Sequence, residues 1–454
     1  MFFAITLGMQ AHPLFIGNSS TSFKAAFRDL VGSRTIATIV RYCGRVLRRP
    51  PKLSAHELIM GLVFHCLQGC GTLAENITML TGKRVAQSSL SERRQNMPWD
   101  VFVAVMKAAL RPKADPEKHP HAFYKGWRLV AVDGTQFSVS NTPQILASLT
   151  KAASRRMKAA FAKLGAVLLV ELGVHNPLAA AVGIAGDSEQ SLSKQLLDAL
   201  PESSLLIADR LYGVGAFLVA LAAAFAKRPG HFLVRVSKTP KPKLLKVLRD
   251  GSALVEVKPS KGVGRIQARE IRGRVRRPKG QWVEVRFWTS LLDCKMYPAQ
   301  ELLALYARRW EQEIVYKQIK VDMRNAELLR SQTVETAAQE VAALVLAHAI
   351  LAEERMRIAS RGGGEILRIS FGKTLTMLRS LWMMLAAGQG ILSPEQAAEM
   401  THDVMRVIAR TALPPRRKRS CPRAVRQPIG SWPRLTKNTY SIGAAQYELT
   451  EIHA

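Results

Sequence analysis

The sequence predicts an α/β protein in which a small helical domain precedes an α/β domain that carries a basic β-strand insertion, with a basic tail behind it. Three observations carry this reading. Apolar positions recur at helical spacing through residues 23–111. Short β-type runs broken by Gly, Asn and Pro then alternate with amphipathic helix patterns. Lys and Arg gather in two late blocks rather than spreading evenly.

Composition bounds the function. The chain has 454 residues, enough for two or three domains, and its 48% hydrophobic and 22% charged content excludes a disordered chain. With 66 Lys+Arg against 34 Asp+Glu, the formal charge of +32 calls for a polyanionic partner, nucleic acid first and an anionic membrane second. The longest clean apolar run, 214–226, has 13 residues, and a spanning helix needs about 20. Residues 341–352 are similar but contain His348. Both read as buried helices, so no membrane partner is expected. The opening MFFAITLGMQ lacks the basic region of a signal peptide, so no export is expected. Cys43, Cys66, Cys70, Cys294 and Cys421 form no disulfide framework and, despite His65 beside Cys66, no paired zinc motif. A reducing cytoplasm follows, and for a DNA-binding chain the nucleoid within it.

The elements follow in chain order. Residues 23–117 form the helical domain, read as DNA-binding. Within it VAQSSLSERRQ starts a helix at Ser88 or Ser89 with Arg93 and Arg94 exposed, either as a DNA-reading helix or as a capped surface helix. After RPKADPEKHPH, the runs WRLVAVDG and LGAVLLVELGVHNPLAAAVGIAG, the helix SEQSLSKQLLDAL and the run SLLIADR give three strands, a helix, a fourth strand and further helices. This α/β catalytic domain is assigned to 118–405, with the β insertion at about 228–292. Residues 227–286 hold 18 Lys+Arg and four acidic residues, so Arg235 and its neighbours are read as facing DNA. The tail, 406–454, is read as an extended basic arm, because 406–437 carry ten basic and no acidic residues.

Two aspartates end strands. Asp133 follows RLVAV and Asp209 follows SLLIA, each where the backbone leaves the sheet. Asp caps turns routinely. Two of them at buried strand ends, in a chain of this charge, also suit a magnesium or manganese site. In LYARRWEQEIVYKQIK, a helix turning about 100° per residue from Tyr306 puts Arg309 at about −60°, Glu313 at about −20° and Lys320 at about −40°. Glu311 falls at about 140°, where a solvated or ion-paired carboxylate is expected. The stripe reads as a metal-binding carboxylate among phosphate-binding cations, or as an ion-pair ladder through Arg309 and Glu313.

The spacing Tyr306-x2-Arg309-x3-Glu313-x6-Lys320 resembles the signature of the insertion-sequence-4 family of bacterial DDE transposases. DGT at Asp133, ADRLY at Asp209, the RW at Arg309 and the LRIS ending at Ser370 are similar to that family too. The resemblance covers most of the chain from Ser88 onward. It implies a ribonuclease-H-like catalytic domain, Asp133, Asp209 and Glu313 as a metal-binding triad, and two Mg2+ ions with Mn2+ as a substitute. It further implies Tyr306, Arg309 and Lys320 as contacts to double-stranded DNA, meaning the terminal inverted repeats and the target, and a homodimer in the active complex. The family's β insertion is associated with a hairpin intermediate and a base-holding Trp. At that position stands Val285, flanked by Trp282 and Trp288, so Trp288 is read either as the base holder or as a packing residue. A ribonuclease-H-like nuclease or resolvase, or a non-catalytic DNA-binding relative, are the rival readings.

Overall fold

End signals as much as apolar spacing set the helices at the start of the chain. The computed structural model describes residues 22–43, 52–151, 159–259, 264–276, 282–325, 327–362, 364–411 and 413. Helices α1 (Phe23–Leu30), α2 (Ser33–Cys43), α3 (Ala55–Gln68), α4 (Leu73–Thr81), α5 (Gln87–Gln95) and α6 (Trp99–Ala109) open it. Both α3 and α4 begin in a capping box, Ser54 with Glu57 and Thr72 with Glu75. Each stops at a glycine in the left-handed region, Gly69 and Gly82, where a side chain would be strained. The start of α5 at Gln87 has no side-chain cap, so Ser88 and Ser89 lie inside its first turn.

The strands form one mixed sheet. β1 (Phe123–Tyr124), β2 (Trp127–Val139), α7 (Pro143–Ser148), β3 (Ala162–Glu171), β4 (Asn176–Val182), α8 (Glu189–Gln195), β5 (Ser204–Ala208), α9 (Gly215–Lys227) and β6 (Gly230–Arg235) come first. Then come β7 (Lys243–Val247), β8 (Ala253–Val257), β9 (Ile266–Arg276) and β10 (Trp282–Thr289). The order is β4-β3-β2-β5-β6-β10-β9-β8-β7, with β1 beside β2. β3 runs antiparallel to β2 and β4 to β3, whereas β5 and β6 run parallel to β2. The insertion is not a separate body, because β10 pairs antiparallel with β6 and carries β9, β8 and β7 outward in the same sheet.

Alternation along β2 splits the packing. Val130 and Val132 face Leu192 and Leu196, at and just past the end of α8, and Phe217, Leu218 and Leu221 of α9. Leu129 and Ala131 point the other way, toward Leu205, Ile207, Leu233 and Leu302. Leu302 lies on α10 (Ala299–Tyr306), followed by α11 (Trp310–Lys317), α12 (Val334–Gly362), α13 (Phe371–Ala387) and α14 (Pro394–Arg410).

α12 is apolar and long enough to cross a membrane by length and composition, yet its most apolar window is 94% buried inside the protein. It lies between the N-terminal helices and the sheet. Phe23, Phe64, Val105, Leu344, Leu351, Leu378 and Leu168 belong to one continuous core. Each such side chain contributes about 1.5–3 kcal/mol by leaving water. The boundary expected at 117 therefore separates no cores: α1–α6 and α12–α14 share theirs. The tail differs too, since α14 is helical through Arg410 and the arm expected from Arg406 begins no earlier than Thr411. Residues 414–454, with Cys421, lie outside the described residues.

Candidate active site

The site starts from strand register. Val132 of β2 pairs with Ala208 of β5, and Ala208 with Val234 of β6, all three strands running the same way. The next residues along the chain are Asp133, Asp209 and Arg235; Asp209 follows the end of β5 as expected, but Asp133 does not end a strand, because β3 keeps β2 paired through Val139. Strands lie about 4.8 Å apart, so the three charges form a row. It sits where the strand order reverses direction between β2 and β5, the place where an open α/β sheet leaves a crevice.

α10 and α11 cross this row. Between them residues 307–309 tighten into a 3-10 turn, and after α11 residues 318–322 widen into a π turn, so the helix is not uniform. The stripe nevertheless faces the sheet. Arg309 pairs with Glu313 at 2.7 Å and with Asp133 at 3.4 Å. Lys320 reaches Thr135 at 3.3 Å. Tyr306 packs on Phe287 with ring centroids 4.5 Å apart, and both Asp209 and Arg235 lie in its electrostatic surroundings. The docking is fixed by Tyr316, whose hydroxyl donates to the Asp133 carbonyl, and by Gln312, whose amide donates to the Leu168 carbonyl at 3.2 Å.

Burial, and then the neighbouring Asp209 carboxylate, push the Asp133 carboxyl up to about 7, against the pull of Arg309. Such a pair of acids needs a cation. Arg309 supplies one positive charge between Asp133 and Glu313, standing in for stronger neutralisation. Oxygen donors of this kind suit a hard divalent ion. Among the described residues, no three His, Cys, Asp or Glu side chains already stand in ligand geometry.

A family model described as Transposase DDE domain matches residues 125–350, about half of the chain. The transposase InsG of insertion sequence element IS4 from Escherichia coli (strain K12) is 26% identical over 429 residues, covering 91% of this chain and 94% of that one. The chain is an insertion-sequence-4 family DDE transposase. Among solved structures, the piggyBac transposase in its synaptic complex with hairpin DNA matches with a TM-score of 0.47 and 10% identity, over 90% of this chain and 89% of that one. Membership of the family makes the activity DNA cleavage and strand transfer, a reaction that depends on divalent metal in DDE transposases generally.

The transposase brings Asp133, Asp209, Arg235, Tyr306, Arg309, Glu313 and Lys320 to one face, and it leaves three predicted DNA contacts elsewhere. Arg94 is not an exposed reader: its guanidinium donates to Ser331 at 3.1 Å and to the Thr336 carbonyl at 2.8 Å, tying α5 to the start of α12. Arg93, half-buried on the same helix, has its pKa lowered by burial, with Glu57 close enough to oppose the shift. Trp288 does not hold a base. Its ring is 1% exposed inside the core under α9, and its indole donates to Glu270 at 2.9 Å. Alternation decides this, since Trp288 shares the inner face of the sheet with Val234, its partner on β6.

Glu311 lies on the far side as expected and is ion-paired, accepting from Arg308 at 2.7 Å and from the Gly173 amide at 2.6 Å. Sequence reasoning missed Tyr316 and Glu189. The first had a signal, being three residues after Glu313 on the same helix face. The second had none short of the fold.

Proposed function

We propose that Asp133, Asp209 and Glu313 are the metal-binding triad of this transposase, on a ribonuclease-H-like fold. The observation that carries the reading is the parallel register that sets Asp133, inside β2, beside Asp209, just past the end of β5, beneath the helix bearing Glu313. Three antiparallel strands followed by two parallel to the first, in the order β4-β3-β2-β5-β6, support the fold. The ions are Mg2+, or Mn2+ in its place. When bound, they supply activation of a water or a 3′-hydroxyl and stabilisation of the leaving oxygen.

The chain's own residues do the rest. Arg309 holds Asp133 and Glu313 together before DNA arrives, and a backbone phosphate competes for the same guanidinium. Lys320, Arg235 and Tyr306 continue the charged and hydrogen-bonding stripe along the duplex. The substrate is double-stranded DNA, first the terminal inverted repeats and then the target, bound by a homodimer in the nucleoid of the cytoplasm. The basic strands β7–β9 and the basic tail hold phosphates, so affinity falls steeply with salt.

The test is cleavage of end-labelled terminal-repeat duplex in Mg2+ by Asp133→Asn, Asp209→Asn and Glu313→Gln, beside gel-shift binding of the same duplex. Each variant loses cleavage by at least about 10³-fold and keeps binding. Cleavage within tenfold of the parent by any one of them removes that residue from the triad.

A further inference from the structure

Helix α8 has no part in the chemistry described so far, yet its first two residues, Glu189 and Gln190, touch the backbone that follows the two aspartates. Gly134 follows Asp133, and a Cβ there would overlap the Glu189 carboxyl. A glycine at this position is what lets Glu189 approach. The same carboxylate accepts the hydroxyl of Tyr212 at 2.7 Å. Tyr212 is fully buried, stacked at a tilt on Phe217 with centroids 5.1 Å apart, and its hydroxyl would otherwise be stranded in the core. The neighbouring Gln190 side chain donates to the Leu211 carbonyl at 3.1 Å. Ser188 caps the helix by accepting the Ser191 amide at 3.2 Å, which fixes where Glu189 and Gln190 begin.

These contacts converge on the backbone that follows the two acids. The Gly134 amide donates to the Asp133 carboxylate at 3.0 Å. The Leu211 amide donates to the Asp209 carboxylate at 2.7 Å. Glu189 packs against Gly134, and Gln190 holds the Leu211 carbonyl, one peptide beyond the amide that meets Asp209. The backbone behind both acids is thus braced from a single helix end.

We propose that Glu189, held by Tyr212 and assisted by Gln190, is a positioning residue for strand cleavage: it sets the orientation of Asp133 and Asp209 relative to each other without itself binding metal or DNA. The proposal rests on Asp133 and Asp209 being the catalytic pair. Displacing a reacting group by about 1 Å costs on the order of 100-fold in rate, so losing the brace shows in the chemical step rather than in DNA affinity.

The experiment compares Glu189→Ala, Glu189→Gln, Tyr212→Phe, Gln190→Ala and the control Asp133→Asn in the full-length protein. Three readouts are taken: single-turnover first-strand nicking of terminal-repeat duplex, duplex affinity, and Mn2+ binding by electron paramagnetic resonance. Glu189→Ala slows nicking by about 10- to 100-fold, weakens Mn2+ binding at unchanged stoichiometry, and leaves duplex affinity as it was. Glu189→Gln keeps the volume and the acceptor for Tyr212 and restores nicking to within about threefold. Tyr212→Phe slows nicking in the same direction, and combining it with Glu189→Ala adds nothing further.

Wild-type nicking by Glu189→Ala beside a dead Asp133→Asn overturns the brace and leaves the triad standing. An active Asp133→Asn overturns both. If Glu189→Gln is as slow as Glu189→Ala and binds one Mn2+ fewer, Glu189 is a ligand and the positioning role is wrong. Should Glu189→Ala not fold, Gln190→Ala carries the test, and nicking at the parent rate would overturn the proposal.

Discussion

Where β5 and β6 end beside the middle of β2, Asp133 and Asp209 stand side by side, with Arg309 reaching across from just before α11 to Asp133 and Glu313. Further along the same sheet, in β9 and β10, buried charge is treated otherwise. Glu270 accepts from Arg286 at 2.7 Å, Arg272 at 2.7 Å and Trp288 at 2.9 Å. Arg269, fully buried, is held by Asp250, by Ser252 at 2.7 Å and by the Tyr297 carbonyl at 2.6 Å. Burial would raise the Glu270 carboxyl, but these donors outweigh it and hold it below the ordinary carboxylate range, whereas Asp133 is pushed up to about 7. A buried charge with its partners in place is architecture. One left short of them suits the metal-binding role proposed for Asp133.

That contrast can be broken by experiment. Glu270→Ala strands Arg286 and the Trp288 indole and lowers unfolding free energy by about 3–5 kcal/mol, read from urea denaturation. Little change would mean that the two regions do not differ. Trp288→Ala, which opens a cavity in the inner core, costs about 3–5 kcal/mol, and nicking and hairpin formation fall together. A selective stall at the hairpin would return Trp288 to the DNA.

Smaller effects sharpen the comparison. Arg94→Met costs about 1–3 kcal/mol by removing the hydrogen bonds that its guanidinium gives Ser331 and the Thr336 carbonyl. The salt dependence of DNA binding stays the same in a filter-binding titration, unlike the loss of a phosphate contact. Glu311→Gln loses the Arg308 pair and costs about 1 kcal/mol with cleavage nearly intact; a dead enzyme would move the chemistry to the other helix face. Asp209→Asn abolishes cleavage while its thermal midpoint stays level or rises, within about 0.5 kcal/mol. For Glu270 the pH dependence has a sign. Its native pKa is depressed, so its contribution is present above the unfolded carboxylate value of about 4.3 and lost as pH falls through the native one. Glu270→Gln flattens that acid limb of a melting-temperature profile.

Much of the site was legible because its signals are local. An Asp after a buried β-type run is visible in six residues, although only Asp209 ends its strand and Asp133 lies inside β2, and the stripe of Tyr306, Arg309, Glu313 and Lys320 survives the 3-10 and π turns around α11. Glu311 was assigned to the far side by the same periodicity. The rest depended on partners distant in the chain. Nothing in QSSLSERRQ says that Arg94 meets Ser331, 237 positions on. Trp288 looked available for a base because its partner Glu270 sits on another strand, and the strand order that joined the insertion to β6 is not written in any local pattern. Glu189 was passed over for the same reason.

The shared core around α12 has a consequence for synthesis. The ribosome releases α1–α6 long before it reaches Val334, where the long helix that completes their packing begins. At about 5–20 residues per second, the stretch between takes on the order of ten seconds or more. During that interval the apolar faces of Phe23, Phe64 and Val105 lack the cover that α12 and α13 complete. The nascent chain is then a client for chaperones, and a polypeptide cut short before α12 emerges with those faces still bare and is readily degraded.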